Sequence, residues 1–172
     1  MSQDVEVRVF QKSDYDKVKE FISDIIVNEF KFKLEFDTLD SDILTIDETY
    51  SISNRGWVGE TNVDDDSDTQ QKYHQEIVGT TAIRNLKEIE STCELKRMYV
   101  RMGFRRLGIG QKLLDTAIDF AKSVGYSRLV LDSSKILNAA RTLYLKNGFV
   151  DIDRYNDNYR ADLFMEKKLI SS

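Results

Sequence analysis

Residues 101–114, RMGFRRLGIGQKLL, restrict the architecture of this chain more than any other stretch. They follow Cys93–Val100 (CELKRMYV), which alternates like a strand. They run into Ile109, Leu113, Leu114, Ala117, Ile118 and Ala121, which share one face of a helix that Gly125 is suited to end. A strand entering a helix through glycines builds an anion cradle. The first N–H groups of the helix lack partners, the positive end of its dipole faces the loop, and glycine lets a ligand approach the backbone. Arg105 and Arg106 add charged donors. Two common phosphate motifs do not fit. Gly103 and Gly108 have P-loop spacing, but Ile109-Gly110 follows where Gly-Lys-Ser/Thr is required. Gly108-Ile-Gly110 opens a dinucleotide fingerprint that meets Leu113 in place of its third glycine.

The remaining elements set this cradle in a mixed α/β chain. Val5–Phe10 alternates as a half-buried strand. Ser13-Asp14 opens a helix with Val18, Phe21, Ile22, Ile25 and Ile26 on one face, and a short second helix is expected within the acidic stretch 35–48. Trp57–Gly59 and Ile77–Ile83 read as strands, the second carrying Gly79 at a close approach or bulge. The polar stretch 61–75 between them reads as a surface loop without fixed structure. Leu129–Leu131 is a short buried strand, 137–147 a helix ending at Asn147-Gly148, and Phe149–Ile152 and Leu163–Leu169 are the closing strands. Early strands joined by short connections suggest antiparallel pairing, and the later strand–helix alternation suggests crossovers.

Composition removes several classes. The chain has 172 residues, suited to a single domain, 1–172. Cys93 is the only cysteine and His74 the only histidine, so there is no disulfide, no cysteine-based zinc site and no expected metal. Cys93 and Glu94 are neighbours on a strand and point to opposite faces, which favours Cys93 as a buried small residue over a nucleophile. No apolar run reaches the ~20 residues of a membrane span, and the start lacks a signal-peptide core, so a cytoplasmic protein without a membrane partner is expected. The net charge of −5 disfavours nucleic acid as a partner. Residues 1–86 hold 19 acidic and nine basic side chains, and residues 87–172 hold 11 and 16, so the basic half is the one with the cradle. Arg101, Arg105, Arg106 and Lys112 account for much of that charge. The acidic cluster 64–68 lacks the spacing and glycine of a calcium loop and reads as solvated.

Arg105, Gly108 and Gly110 sit at the fixed positions of Gln/Arg-x-x-Gly-x-Gly/Ala, and the segment resembles the acyl-CoA pyrophosphate loop of the GNAT superfamily of N-acyltransferases. The resemblance spans roughly 76–150. CELKRMYV looks like the family's splayed central strand, and Asn138 to Phe149 looks like its second cofactor-side helix, N-x-A-x-x-x-Y-x-x-x-G-F. It implies a GNAT-like α/β fold, with a central mixed, mostly antiparallel sheet of roughly six to seven strands and about four helices. Acceptor-side elements would occupy about 1–60 and the acyl-CoA core about 76–150. It also implies acetyl-CoA as co-substrate. The backbone amides of Arg106, Leu107, Gly108, Ile109 and Gly110 would hold pyrophosphate, and Met98, Tyr99 and Val100 would pair with the pantetheine arm. Asn138 would contact the cofactor, and Tyr144 would lie near the thioester sulfur. Residues 155–161 would help select the acceptor.

The expected reaction moves an acetyl group directly to a primary amine. An alkyl ammonium has a pKa near ~10 and must lose a proton before it attacks. Glu94, on the central strand, is the expected base, acting directly or through water, and an N–H at Met98 or Tyr99 the expected oxyanion donor. An amino acid, a polyamine, another small amine and a protein or peptide amine all remain open as acceptors, and so does a monomer or a homodimer. The alternative is a non-catalytic acyl-CoA-binding regulatory module.

Overall fold

The computed structural model describes residues 5–50, 55–64 and 73–169. Its centre is a seven-stranded sheet of β1 (Glu6–Val9), β2 (Arg55–Asp64), β3 (Tyr73–Asn85), β4 (Thr92–Val100), β5 (Arg128–Ser133), β6 (Val150–Asp151) and β7 (Leu163–Lys168), in the order β1-β2-β3-β4-β5-β7-β6. Only β4 and β5 run parallel. The α-helices are α1 (Tyr15–Asp24), α2 (Ile46–Thr49), α3 (Ile109–Ser123) and α4 (Asn138–Lys146). The expected mixed sheet with about four helices is the one observed.

The sheet separates two cores. On one face, Leu114, Ala117, Ile118 and Ala121 of α3 and Tyr144 of α4 pack on Cys93, Leu95, Leu129, Leu131 and Met165. On the other, Val18, Phe21, Ile22, Ile25 and Ile26 cover Val58, Ile77 and Ala82. Each fully buried aliphatic side chain of this size contributes about 1.5–3 kcal/mol. Trp57 belongs to the first core, edge-on to Phe120 at 5.2 Å. Cys93 is buried as expected, and burial pushes its thiol up to about 12.

The expected loop over 61–75 is in part a hairpin. Thr61 pairs with Glu76, Asn62 with Gln75, Val63 with His74 and Asp64 with Tyr73. Backbone pairing with a neighbouring strand overrides the polar composition of both arms, as tertiary context commonly does for strand propensity. Residues 65–72, with most of the acidic cluster, lie outside the described residues.

Two irregularities position the site. Opposite Thr80–Ala82, β4 carries an extra residue, and Arg97 there has φ +51°. Such a bulge re-aims the side chains that follow it. At Gly79 the backbone comes against α3, where an added Cβ would lie 2.9 Å from Leu113 Cδ1 and 3.2 Å from the Tyr99 carbonyl. The close approach read from the sequence is therefore real, and it seats the N-terminus of α3 on the sheet.

Candidate active site

β4 and β5 pair only over Thr92–Glu94 and Arg128–Val130, then separate. Beyond Glu94 the edge of β4 that faces β5 has no strand partner. A cavity of about 770 Å³ opens along this split, lined by Leu95–Val100 on one side and Leu131–Ser134 on the other. A strand edge left unpaired beside a cavity accepts an extended ligand through its main chain.

The cradle closes one end. Met102–Phe104 form a short 3-10 turn, Arg106 takes φ +65° and Gly108 takes φ +80° at the N-cap of α3. Reversals of this kind gather successive peptide N–H groups on one side of the chain. Among the described residues, the amides of Arg106, Leu107, Gly108, Ile109 and Gly110 donate to no protein acceptor, and Lys112 is the first to bond back, to Gly108. Five free donors with the positive end of a 15-residue helix behind them suit a phosphate group. An alanine Cβ at Gly110 would meet Leu143, Met98 and Val100 at 3.5–3.9 Å, an ordinary contact.

The structure revises the expected cationic rim. Arg105 lines the cavity, but its Nε donates to the Val100 carbonyl at 2.8 Å and its guanidinium pairs with Glu29, bracing the loop against the end of the first helix. Arg101 pairs with Glu76 at 3.0 Å and lies over the Phe21 ring. Lys112 donates to the Val5 carbonyl. Arg106 lines the cavity with its side chain exposed and without an ion-pair partner among the described residues. Leu107 is exposed, and Ile109 is buried beneath the cradle.

Met98, Tyr99, Val100, Asn138 and Tyr144 all face the cavity. Tyr144 is buried against Phe149, its ring 5.7 Å away, with its hydroxyl 3.9 Å from Met98 Sδ. Burial first, then the charges of Tyr99 and Asp132, hold its hydroxyl well above the usual tyrosine range, so it stays protonated. Asn138 opens α4 with an exposed side chain.

Glu94 is where the sequence reading and the geometry part. Its side chain is fully buried and is not part of the cavity wall. Arg84 donates to Oε2 from Nε at 3.0 Å and from a terminal nitrogen at 2.5 Å. The Tyr155 hydroxyl donates to Oε1 at 2.8 Å, and Asn156 approaches the same oxygen at 3.4 Å. A carboxylate closed in this way presents no free oxygen to an amine, so of the two routes expected for Glu94, directly or through water, direct contact with an acceptor in the cavity is the one this geometry closes. The cause is the 153–162 connection between β6 and β7, which folds back over β4.

That connection also ties down the 33–42 segment. Arg160 donates to Asp40 at 3.0 Å, to Glu35 at 3.0 Å and to the Lys33 carbonyl at 2.5 Å. Arg97 donates to Asp42 at 3.0 and 2.5 Å and to Asp40 at 3.1 Å. Burial alone would raise the Asp42 carboxyl. The hydrogen bonds and charge of Arg97, with the Tyr50 hydroxyl, outweigh it and hold the group below its ordinary range. After α1 the helix widens into a π-turn at Ile25–Glu29, which carries Phe30 and Phe32 to the cavity wall. The sequence reading missed Arg97, Asp40, Asp42 and Asp132, and reached Arg160 only as part of the 155–161 segment. Asp132, a charge closing the apolar run Leu129–Leu131, was the one signal a local reading offered.

This arrangement has known relatives. The profile of the Acetyltransferase (GNAT) family matches residues 34–149, about two thirds of the chain. The chain belongs to the GNAT acetyltransferase family. A probable N-acetyltransferase, camello, of Xenopus tropicalis is 31% identical over 113 residues, covering 64% of this chain and 46% of that protein. N-acetyltransferase 8B of Rattus norvegicus is 31% identical over 123 residues, covering 68% of this chain and 50% of that protein. This GNAT chain thus spans about half the length of these curated relatives. Among solved structures, a GNAT acetyltransferase of Staphylococcus aureus Mu50 superposes with a TM-score of 0.81 at 26% identity, covering 97% of this chain and all of that one. A protein of Salmonella typhimurium described as a putative acetyltransferase, determined with its cofactor acetyl-CoA, has the same fold, with a TM-score of 0.68 at 16% identity over 98% of this chain and 96% of that one. Among the described residues of this GNAT domain, no helix is long and apolar enough to cross a membrane, and no cluster of side chains is suited to a metal.

Proposed function

We propose that this chain is an acetyl-CoA-dependent N-acetyltransferase acting on a primary amine, with 1–172 as one catalytic domain. The observation that carries this reading is the set of five unpartnered amides at Arg106–Gly110, at one end of the cavity along the open edge of β4. Pyrophosphate suits the amides, with Arg106 adding a charged donor. The main chain of Met98–Val100 suits the pantetheine arm, and Asn138 stands at the wall between them. Bound acetyl-CoA supplies the thioester carbonyl and a thiol leaving group.

The chain's own groups account for the rest. An N–H of β4 at Met98 or Tyr99 would receive the developing oxyanion. The protonated Tyr144 hydroxyl donates toward the departing sulfur, a modest contribution because a thiol of pKa near ~8.5 already leaves readily. Direct transfer fits a cavity wall that presents no thiol, since the one cysteine, Cys93, is buried in the core behind β4. The acceptor enters between the 30–40 segment and the 153–162 connection. A homodimer is compatible with this reading, and so is a monomer.

Thiol release from acetyl-CoA across a panel of alkyl amines, amino acids, polyamines and peptides tests the activity. Calorimetry tests the cradle separately. Binding of acetyl-CoA without turnover of any amine would favour a regulatory acyl-CoA module, and no binding at millimolar concentration would remove both readings. Tyr144→Phe is expected to lower kcat by about tenfold or less while acetyl-CoA affinity stays within about twofold. A loss confined to affinity would make Tyr144 part of the cofactor wall.

A further inference from the structure

Resting on the acetyltransferase reading, we propose that Asp132 is the carboxylate that takes the proton of the acceptor amine, and that Glu94 acts through it. The argument starts from register. Glu94 pairs with Val130 at the last joined position of β4 and β5, and Asp132 lies two residues further on, so it shares a face with Val130 where the strands have separated. Leu129 and Leu131 turn to the α3–α4 core. Asp132 therefore stands on the acceptor face at the rim of the split, half-buried in the cavity wall.

Its two oxygens differ. Oδ2 accepts from Asn156 Nδ2 at 2.6 Å and from Asn158 Nδ2 at 3.2 Å. Oδ1 has no protein partner among the described residues. Two neutral amides fix the carboxylate without cancelling its charge, which is the arrangement a proton acceptor needs. The other carboxylate of the wall, Asp40, is 1% exposed and is held by both Arg97 and Arg160. Asp132 has no cation within ion-pair distance among the described residues. Lys96 and Arg97 of β4, Arg160 of the 153–162 connection and Tyr144 of α4 line the same cavity, while Tyr155 and the Glu94–Arg84 pair lie behind Asn156. Its negative charge helps keep both the Tyr144 and the Tyr155 hydroxyls protonated.

Asn156 Nδ2 reaches both Asp132 and Glu94, and Tyr155 is tied to Glu94. The buried Arg84–Glu94 pair thus sets the connection that aims Asp132. With an alkyl amine, the bound ammonium first gives one proton to Asp132 Oδ1, which passes it to water; the freed amine nitrogen then bonds to the thioester carbon as the carbon–sulfur bond breaks. One N–H proton passes to Asp132 Oδ1 and the Tyr144 proton passes to sulfur. Water then returns a proton to Tyr144 and takes one from Asp132, leaving amide and thiol.

The test compares Asp132→Asn with Glu94→Gln, each with the best alkyl amine of the panel and with hydroxylamine, which is a free base at neutral pH. Asp132→Asn is expected to lower kcat with the alkyl amine by about 100-fold or more, while acetyl-CoA binding by calorimetry stays within about twofold. With hydroxylamine the loss should shrink to less than about tenfold, because less proton removal is required. Glu94→Gln should show the same dependence on the nucleophile with a smaller loss, as expected for a positioning residue. Asp132→Ala serves in place of Asp132→Asn if the asparagine variant does not bind acetyl-CoA. Retained kcat in the Asp132 variant, or an equal loss with both nucleophiles, overturns the assignment while the wild-type turnover leaves the acetyltransferase reading standing. Absence of wild-type turnover with every amine overturns both.

Discussion

The two sides of the split are built by different means. The cofactor side is local: strand, cradle and helix follow within Thr92–Ser123, and the donors that matter are backbone amides whose geometry comes from φ at Arg106 and Gly108. The acceptor side is assembled from distant segments. Arg97 reaches Asp40 and Asp42, and Arg160 reaches Asp40, Glu35 and Lys33, across 55 to 127 residues of chain. A site made of main chain tolerates side-chain change. A site made of buried ion pairs fails when one partner is removed, because the other charge is left without compensation.

The largest test of that contrast is Arg97→Ala. It leaves Asp40 dependent on Arg160 alone and Asp42 without a cation, both nearly fully buried, and should cost about 3–5 kcal/mol of unfolding free energy in urea titration. A cost under about 1 kcal/mol would mean the network is incidental to the acceptor side. The pH dependence has a fixed sign. Because the folded Asp42 carboxyl sits below its ordinary value, its contribution is complete above that value, near ~4, and is lost as pH falls through the folded one. Asp14, which burial would raise but its bonds from Arg8 and the Gln11 amide lower, has the same sign. Stability of the wild type should therefore decline below about pH 4, and Arg97→Ala should flatten that decline.

The same contrast explains what could be read from the sequence. The cradle was legible because its information is consecutive: glycine spacing, adjacent arginines and one helical face. The acceptor side was not. The stretch 35–48 reads only as acidic with a short helix, yet Asp40 and Asp42 are buried because arginines far along the chain neutralise them. The negative charge of the first half therefore does not become a free field at the acceptor site. Glu94 was placed on the correct strand and face, but its partners Tyr155 and Asn156 arrive from a connection more than 60 residues away. The rim charges fail for the same reason: Arg101, Arg105 and Lys112 cluster in sequence and are spent on Glu76, Glu29 and Val5.

Arg106→Ala probes the cofactor side at a cradle cation without an ion-pair partner among the described residues. Losing a charge-assisted bond to phosphate should weaken acetyl-CoA binding by about tenfold, less at high salt, with unfolding free energy changed by less than about 0.5 kcal/mol. An Arg105→Ala variant should do the reverse in kind, loosening the loop through Glu29 and Val100 as well as lowering affinity. If both variants behave alike in calorimetry and in unfolding, the division between ligand contact and brace is wrong.

The smallest effect separates the two glycines of the cradle. Gly108 has open space around an added Cβ but sits at φ +80°, where an L side chain is strained by about 1–2 kcal/mol. Gly110 has ordinary helical geometry and contacts of 3.5–3.9 Å, so alanine fits there and gains up to about 1 kcal/mol of helix propensity. Gly108→Ala should lower both Tm and acetyl-CoA affinity, since relaxing that residue turns the Arg106–Gly110 amides away from a common centre. Gly110→Ala should leave Tm unchanged or slightly raised and affinity within about threefold. If Gly110→Ala were the more damaging of the two for binding, the ligand would lie against the Cα of Gly110, and contact distance would govern the cradle more than amide direction.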